Sequence, residues 1–89
     1  MVRSFVRHHV RDYAGWRKVY DGFNETQTGH GVRGEAVYRG VDDPNDVTVT
    51  HDFDDADAAK RFFAMPQLKE AMQEAGVEGE PAIWFAQED

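Results

Sequence analysis

The order of apolar and polar positions along this chain predicts four β-strands. Residues 2–10 and 47–53 alternate with a period of two, which is the pattern of a strand with two different faces. Residues 32–39 and 82–87 are the other two predicted strands. The segment 42–45 has strong turn chemistry, because its proline fixes φ and its Asx side chains bond to the backbone. We therefore expect an antiparallel hairpin around it.

A first helix is predicted between the first two strands. Asp12 is a favourable N-cap residue, and Gly29 and Gly31 provide the stop. The residues between them place large side chains at helical spacing, which predicts one buried stripe. The stripe consists of Tyr13, Trp16, Val19, Tyr20 and Phe23.

A second helix is predicted between the last two strands. Asp54 or Asp55 caps it, and Gly76 ends it. Pro66 cannot continue a helix without losing a hydrogen bond, so a kink or a restart is expected there. The apolar stripe runs on both sides of that proline: Ala58, Ala59, Phe62, Phe63, Leu68, Ala71, Met72 and Ala75.

The resulting order is strand, helix, strand, strand, helix, strand. Strand–helix–strand units cross over right-handed, which places both helices on one face of a four-stranded antiparallel sheet. This is the α+β, ferredoxin-like βαββαβ plan. At 89 residues the chain has room for a single domain, residues 1–89.

Strand parity assigns each side chain to one of two sheet faces. The apolar face, expected beneath the helices, carries Val6, Val10, Val47, Val49, Phe53, Ile83 and Phe85, and with them His8 and His51. The opposite face carries Phe5, Arg7, His9, Arg33, Glu35, Val37, Arg39, Thr48, Thr50, Asp52 and Trp84. That mixture suits a two-fold partner sheet, in which arginines meet Glu35 and Asp52 of the second copy.

Size and charge narrow the classes of partner. A domain this small buries little surface, and the chain has no cysteine, so a homodimer through the sheet face is expected. Seventeen acidic against ten basic residues give a net charge of −7, which disfavours nucleic acid and anionic membranes. No apolar run approaches the roughly 20 residues of a membrane span, and no signal peptide is recognisable. The cytoplasm is the expected compartment.

His8 and His51 are the candidate catalytic residues. An imidazole titrates near neutral pH and can move a proton there. Tyr13, Trp16, Tyr20 and Tyr38 are the candidate substrate-binding residues, which would line a flat aromatic pocket. The alternative is that both histidines are half-buried and hydrogen-bonded to the backbone or to tyrosine hydroxyls.

No metal or cofactor is expected. His8 and His9 point to opposite faces of a strand, and His8 with His51 supplies at most two ligands. The aspartates between residues 42 and 57 lack the order of a calcium loop. A haem would need an axial ligand, for which His51 and His30 remain open.

Six segments of the chain carry a family resemblance. They are DYAGWRKVY (12–20), VYR (37–39), DDPNDV (42–47), FFAMPQLK (62–69), AGV (75–77) and PAIWF (81–85). Together they resemble the dimeric α+β-barrel superfamily, in particular small bacterial proteins of the antibiotic-biosynthesis-monooxygenase-like and cyclase-like group. The resemblance spans nearly the whole chain, but none of its motifs is a catalytic signature.

The resemblance implies a ferredoxin-like monomer that pairs sheet to sheet, with a substrate cleft between each sheet and its own helices. It implies a cofactor-independent monooxygenase, cyclase or isomerase acting on an aromatic or polyketide-like small molecule. The alternative is a non-catalytic dimer of the same fold that binds a small ligand or serves a stress-related role. An open pocket of roughly 300 Å³ or more beside the histidines would favour the enzyme, whereas a space filled by aromatic side chains would remove most of the support for it.

Overall fold

The computed structural model describes residues 1–89, and its strands form one antiparallel sheet in the order β2-β3-β1-β4. This confirms the predicted ferredoxin-like α+β fold, with each predicted helix divided in two. The elements are β1 (Val2–Val10), α1 (Tyr13–Gly22), α2 (Asn24–Gly29), β2 (Gly34–Arg39), β3 (Asp46–Phe53), α3 (Ala56–Phe63), α4 (Pro66–Glu74) and β4 (Val77–Gln87).

Local hydrogen bonds explain where the helices begin and divide. The Asp12 carboxylate accepts from the Gly15 N–H at 2.9 Å and caps α1, as predicted. The break falls at Phe23, where the first predicted helix was expected to continue. The restart predicted at Pro66 is confirmed, because proline occupies the first turn of α4, where no N–H is needed.

The last strand is longer than predicted and begins at Val77. Its pairing with β1 shifts register between Arg7 and His9. Gly79, at φ +71°, and Pro81 lie opposite this irregularity, on an edge strand. Proline is tolerated at edges and bulges because its missing N–H leaves no ladder bond broken. The expectation that the strand starts only after Pro81 was therefore wrong.

The pairing of β1 with β3 determines which side chains face the helices. Val6 lies opposite Val49 and Val2 opposite Phe53, so the apolar positions of the two central strands share one face. Two buried clusters form there, beneath the helices. The first contains Val2, Val32, Phe53, Ala59 and Phe62, and the second contains Val10, Trp16, Val47, Val49 and Ala75.

The predicted face of β2 was wrong. Val37 lies opposite Val49 and Glu35 opposite His51, which places Glu35, Val37 and Arg39 on the helix side of the sheet. β2 lacks a clear alternation of apolar and polar residues, so its parity follows from the hairpin register and not from its composition.

The helices cover the two central strands but leave the β4 edge open. Ile83 and Phe85 have the helix-side parity that was predicted, yet they are 42% and 39% exposed. The ring of Phe85 lies 5.6 Å from that of Phe63 on α3. The expectation that both residues lie beneath the helices is corrected accordingly.

The outer sheet face, opposite the helices, combines one aromatic pair with charges that are already neutralised. Phe5 and Trp84 stack with ring centroids 5.3 Å apart. Arg3 binds Asp52 at 2.7 Å. Arg7 binds Asp46, also at 2.7 Å. Both arginines therefore have acidic partners within their own chain, and Asp52 is already bound by one of them. Glu35 lies on the other face of the sheet. The ion pairs that were expected across the dimer are thus not prepared in this arrangement.

None of the helices combines the length and the apolar character that crossing a membrane requires.

The cap of α3 provides a test of the local structure. Asp55, one of the two predicted candidates, accepts from the Ala58 N–H at 2.8 Å, whereas Asp54 binds Arg33 on the surface. Asp55→Ala should lower the free energy of unfolding by about 1 kcal/mol, because the first turn loses its acceptor. Asp54→Ala is the matched control and should cause no measurable change in urea denaturation. Equal losses in the two variants would contradict this assignment.

Candidate active site

A narrow cavity lies between the helices and the central strands. Its volume is about 50 Å³, and 11 of its 14 lining residues are hydrophobic. His8 and His51 are in its walls, together with Trp16 and Tyr20. The structure thus brings four of the six predicted site residues to one place.

The two histidines lie at opposite ends of this cavity. Ser4 on β1 is paired with His51, and His8 is four residues further along the same strand. At ~3.3 Å per residue the two positions are separated by roughly 13 Å along the strands. The paired side chains of Val6 and Val49 form the floor between them.

Both imidazoles are buried without a hydrogen bond from the protein. His8 is 6% and His51 4% exposed. All four ring nitrogens lack a partner, so the alternative in which backbone or tyrosine groups bind them is not what the structure shows. Burial lowers the pKa of His8 to about 4. Burial likewise lowers the pKa of His51 to about 4, although the negative charges of Glu35 and Asp52 act to raise it. Both rings are therefore neutral at pH 7.

A row of aromatic rings connects the two histidines along α1. The His8 ring meets Trp16 edge-on at 5.8 Å, Trp16 stacks on Tyr20 at 4.8 Å, and Tyr20 lies 6.2 Å from His51. The Tyr20 hydroxyl donates to Glu35 at 2.8 Å, and burial together with this carboxylate raises the pKa of Tyr20. Flat rings and two neutral imidazoles form a wall suited to a planar molecule.

The other two predicted residues lie elsewhere. Tyr38 is 58% exposed and pairs with Thr48 on the outer face, so the expectation that it lines this pocket was wrong. Tyr38 was misplaced for the same reason as Glu35, because the two faces of β2 were assigned the wrong way round. Tyr13 is half-buried beside Trp16, at 5.7 Å, and the Arg39 guanidinium covers its ring at 3.7 Å. Tyr13 therefore packs behind the cavity wall.

Two polar residues near the cavity were missed by the sequence analysis. Gln27, 3% exposed, contributes an amide to the wall. It follows Phe23 by four positions and so continues the stripe of the first helix, which was a signal in the sequence. Glu35 was assigned to the wrong face, although counting back from the hairpin turn, with Arg39 opposite Val47, gives its position.

The cavity holds no cluster of metal ligands. No group of three or more His, Cys, Asp or Glu side chains is placed to bind one ion. The separation of His8 from His51 also prevents the pair from binding a single metal together.

The buried imidazoles predict an unusual dependence of stability on pH. Above about pH 6.5 they are neutral in both the folded and the unfolded chain. Between about pH 6.5 and 4 the unfolded chain binds protons that the folded chain excludes, so the free energy of unfolding falls by up to about 3 kcal/mol per histidine. Urea denaturation at half-unit steps of pH measures this loss.

Two other titrating groups, His9 and Asp46, change the free energy of unfolding in a different direction or in a different pH range. Glu78 raises the pKa of His9, whose contribution is present below about pH 6.5 and is lost as the pH rises. The Arg7 hydrogen bond lowers the pKa of Asp46, so its contribution is lost only in more acidic solution. His51→Leu should remove about half of the loss between pH 6.5 and 4. A flat stability curve over that range would contradict the buried, neutral state.

Solved structures share this fold over nearly their whole length. A conserved protein from Methanosarcina mazei Go1 superposes with a TM-score of 0.80 at 14% identity, over 99% of this chain and 92% of that one. A candidate antibiotic biosynthesis monooxygenase from Deinococcus radiodurans gives 0.78 at 17% identity, covering 100% and 93%. SnoaB, a cofactor-independent oxygenase from Streptomyces nogalater, gives 0.77 at 20% identity, covering 99% and 94%.

No protein-family model matches the chain, and no curated protein sequence matches it. Identities of 20% or less establish a common fold and do not transfer an activity. The resemblance found in the sequence is thus confirmed for the fold: the chain has the architecture of the antibiotic-biosynthesis-monooxygenase-like proteins.

Proposed function

We propose that this protein is a cofactor-independent monooxygenase or cyclase for an aromatic or polyketide-like small molecule bound between the sheet and helices. The observation that carries the proposal is the pair of buried imidazoles, whose nitrogens have no protein partner and which line the same aromatic cavity. Buried polar groups left without partners are rare, because each costs about 1–3 kcal/mol. A substrate hydroxyl or carbonyl would satisfy them.

The chemistry follows from the neutral state of the rings. At pH 7 each imidazole can accept a proton from a phenol or an activated C–H. Its lowered pKa makes it a weak base at rest, but an anion formed beside it favours the imidazolium and raises that pKa again. The substrate carbanion then donates its electrons to oxygen and forms a C–O bond to a peroxide, which takes the imidazole's proton; loss of water leaves one oxygen atom on the substrate as a carbonyl. In the cyclase reaction the carbanion instead attacks a carbonyl of the same substrate, and the imidazole's proton passes to the alkoxide that forms.

The cavity must widen for such a substrate. Its volume of about 50 Å³ is well below the roughly 300 Å³ of a typical ligand pocket. A groove of about 480 Å³ between α4 and β4 adjoins it and shares Phe63, Leu68 and Met72 with its wall. α4 has no fully buried residue, and methionine adopts many shapes, so this is the side on which the wall yields most readily.

The narrowness of the cavity is also the observation that favours the second candidate function. A dimer that binds a small ligand or serves a stress-related role without turnover needs only a site filled by a small molecule. The two candidates differ in whether a bound quinol is consumed.

The role of His51 is testable with 1,4-naphthoquinol as the probe. Binding should quench the fluorescence of Trp16, observed alone in a Trp84→Phe background, and an oxygen electrode should record turnover. His51→Ala should reduce oxygen uptake about 100-fold, the typical contribution of one proton-transfer group, while the dimer persists. His30→Ala, at an exposed loop position, is the matched control.

The outcomes separate the candidates. Undiminished oxygen uptake in His51→Ala would remove His51 from the mechanism. Quinol binding by the wild type without oxygen uptake would favour the non-catalytic dimer. Absence of any fluorescence change would contradict both uses of the cavity for this class of molecule.

We further infer that two copies pair through the outer sheet face, and that the protein acts in the cytoplasm. Trp84 is 46% exposed although it stacks on the half-buried Phe5, so the outer face carries an aromatic patch that a second copy would cover. Arg3 is paired with Asp52 and Arg7 with Asp46, so covering this face leaves neither arginine unpaired.

Trp84→Asp tests the dimer. The new carboxylate would have no partner in a buried interface, so the variant should elute as a monomer in size-exclusion chromatography. Phe85→Asp is the matched control, since Phe85 is the next residue of the same strand, is 39% exposed and lies on the helix side. Dissociation by Phe85→Asp, with Trp84→Asp remaining dimeric, would show that the outer face is not the interface.

A further inference from the structure

We propose that Glu35 is a positioning residue that makes His51, in preference to His8, the proton acceptor of the cavity. This inference rests on the proposed function and names the residue that divides the roles of the two histidines. It starts from the register of β2, which places a carboxylate beside one imidazole only.

The geometry couples Glu35 to His51 directly. The two are cross-strand partners in the β2–β3 pair and lie on the same face. Side chains in such positions have Cβ atoms ~4.5–5.5 Å apart. The Tyr20 hydroxyl donates to Glu35 Oε2 at 2.8 Å, which anchors the carboxylate at the cavity edge next to the ring that Tyr20 faces.

The other charged groups around His51 are already bound or point away. On α1, Arg17 binds Asp21 at 3.0 Å. On β3, Asp52 is on the outer face with Arg3. β1 presents only the Ser4 hydroxyl, which donates to the His51 carbonyl. On α3 the neighbouring rings are those of Phe62 and Phe63. The Asp52 charge also raises the pKa of His51, but from the outer face, so Glu35 is the carboxylate that shares the cavity side of the sheet with this imidazole.

His8 has no equivalent. Its strand neighbour on β3 is Val47, and the ring packed against it is Trp16. Only burial acts on the pKa of His8, whereas at His51 the charge of Glu35 opposes burial. Although His51 is the more deeply buried of the two, its pKa is lowered no further than that of His8, because the Glu35 charge offsets part of the cost of burial and stabilises a proton there.

The proton step balances without a further reactant. The substrate O–H or C–H bond breaks, its electron pair stays on the substrate, and the proton forms an N–H bond on the neutral His51 ring. The Glu35 carboxylate stabilises the imidazolium without taking the proton. Release of that proton to solvent at the exposed edge where Glu35 lies restores the neutral ring.

The test is an NMR titration of the histidine rings in the free, full-length protein. Glu35→Gln keeps the shape and removes the charge, so the pKa of His51 should fall below its wild-type value while that of His8 stays unchanged. Glu35→Asp should restore part of the difference. Glu70→Gln, at an exposed position on α4, is the matched control.

Kinetics give the second measurement. With 1,4-naphthoquinol, Glu35→Gln should lower kcat up to about tenfold with little change in KM, because the charge acts on the proton acceptor and not on binding. An unchanged His51 titration in Glu35→Gln, or an equal shift at His8, would overturn the inference even if the wild type consumes oxygen. A wild type without turnover would overturn the proposed function instead, and the titration would still decide whether Glu35 controls the basicity of His51.

Discussion

The pairing of β1 with β3, with Val6 opposite Val49, is the constraint on which the rest of the structure depends. It places the apolar residues of both central strands and the two histidines on one face. A shift of one residue would turn every one of these side chains to the other face. Burial of the imidazoles, their low pKa values and the position of the cavity all follow from this register.

The same register lowers the stability of the fold, because it buries two polar rings in an apolar core. A core of valines and phenylalanines would be more stable with apolar residues at positions 8 and 51, since unpartnered imidazole nitrogens lose their bonds to water. The rings of Trp16, Tyr20 and Phe62 make favourable contacts with the two imidazoles but supply no hydrogen-bond partner for their nitrogens. Positions at which a fold gives up stability in this way are common at functional sites.

Much of this arrangement could be predicted from the sequence. β1 and β3 have strict alternation, Asp12 and Pro66 give clear helix signals, and these features sufficed for the fold and for the burial of His8 and His51. Period-two patterns are reliable where one face is buried. The identity of the cavity-lining Trp16 and Tyr20 followed from the same helix stripe.

The errors arose where local pattern does not determine structure. β2 places its charged residues, Glu35 and Arg39, on the helix side, so its parity depends on the hairpin register and not on its composition, and this misplaced Glu35 and Tyr38. The early start of β4 depends on an irregularity opposite Gly79 and Pro81. The width of the cavity depends on how closely α4 packs on the sheet, and the spacing of residues in the sequence does not determine that distance.

The central claim is that two imidazoles are held neutral between the sheet and the helices while the other two reach water. Long-range ¹H–¹⁵N NMR of the wild-type rings between pH 8 and pH 4 tests this most directly. His8 and His51 should remain neutral until the pH approaches 4, whereas His9, which binds Glu78, should have a pKa above its ordinary value. Protonation of His8 and His51 close to pH 6.5, as for exposed rings, would contradict it.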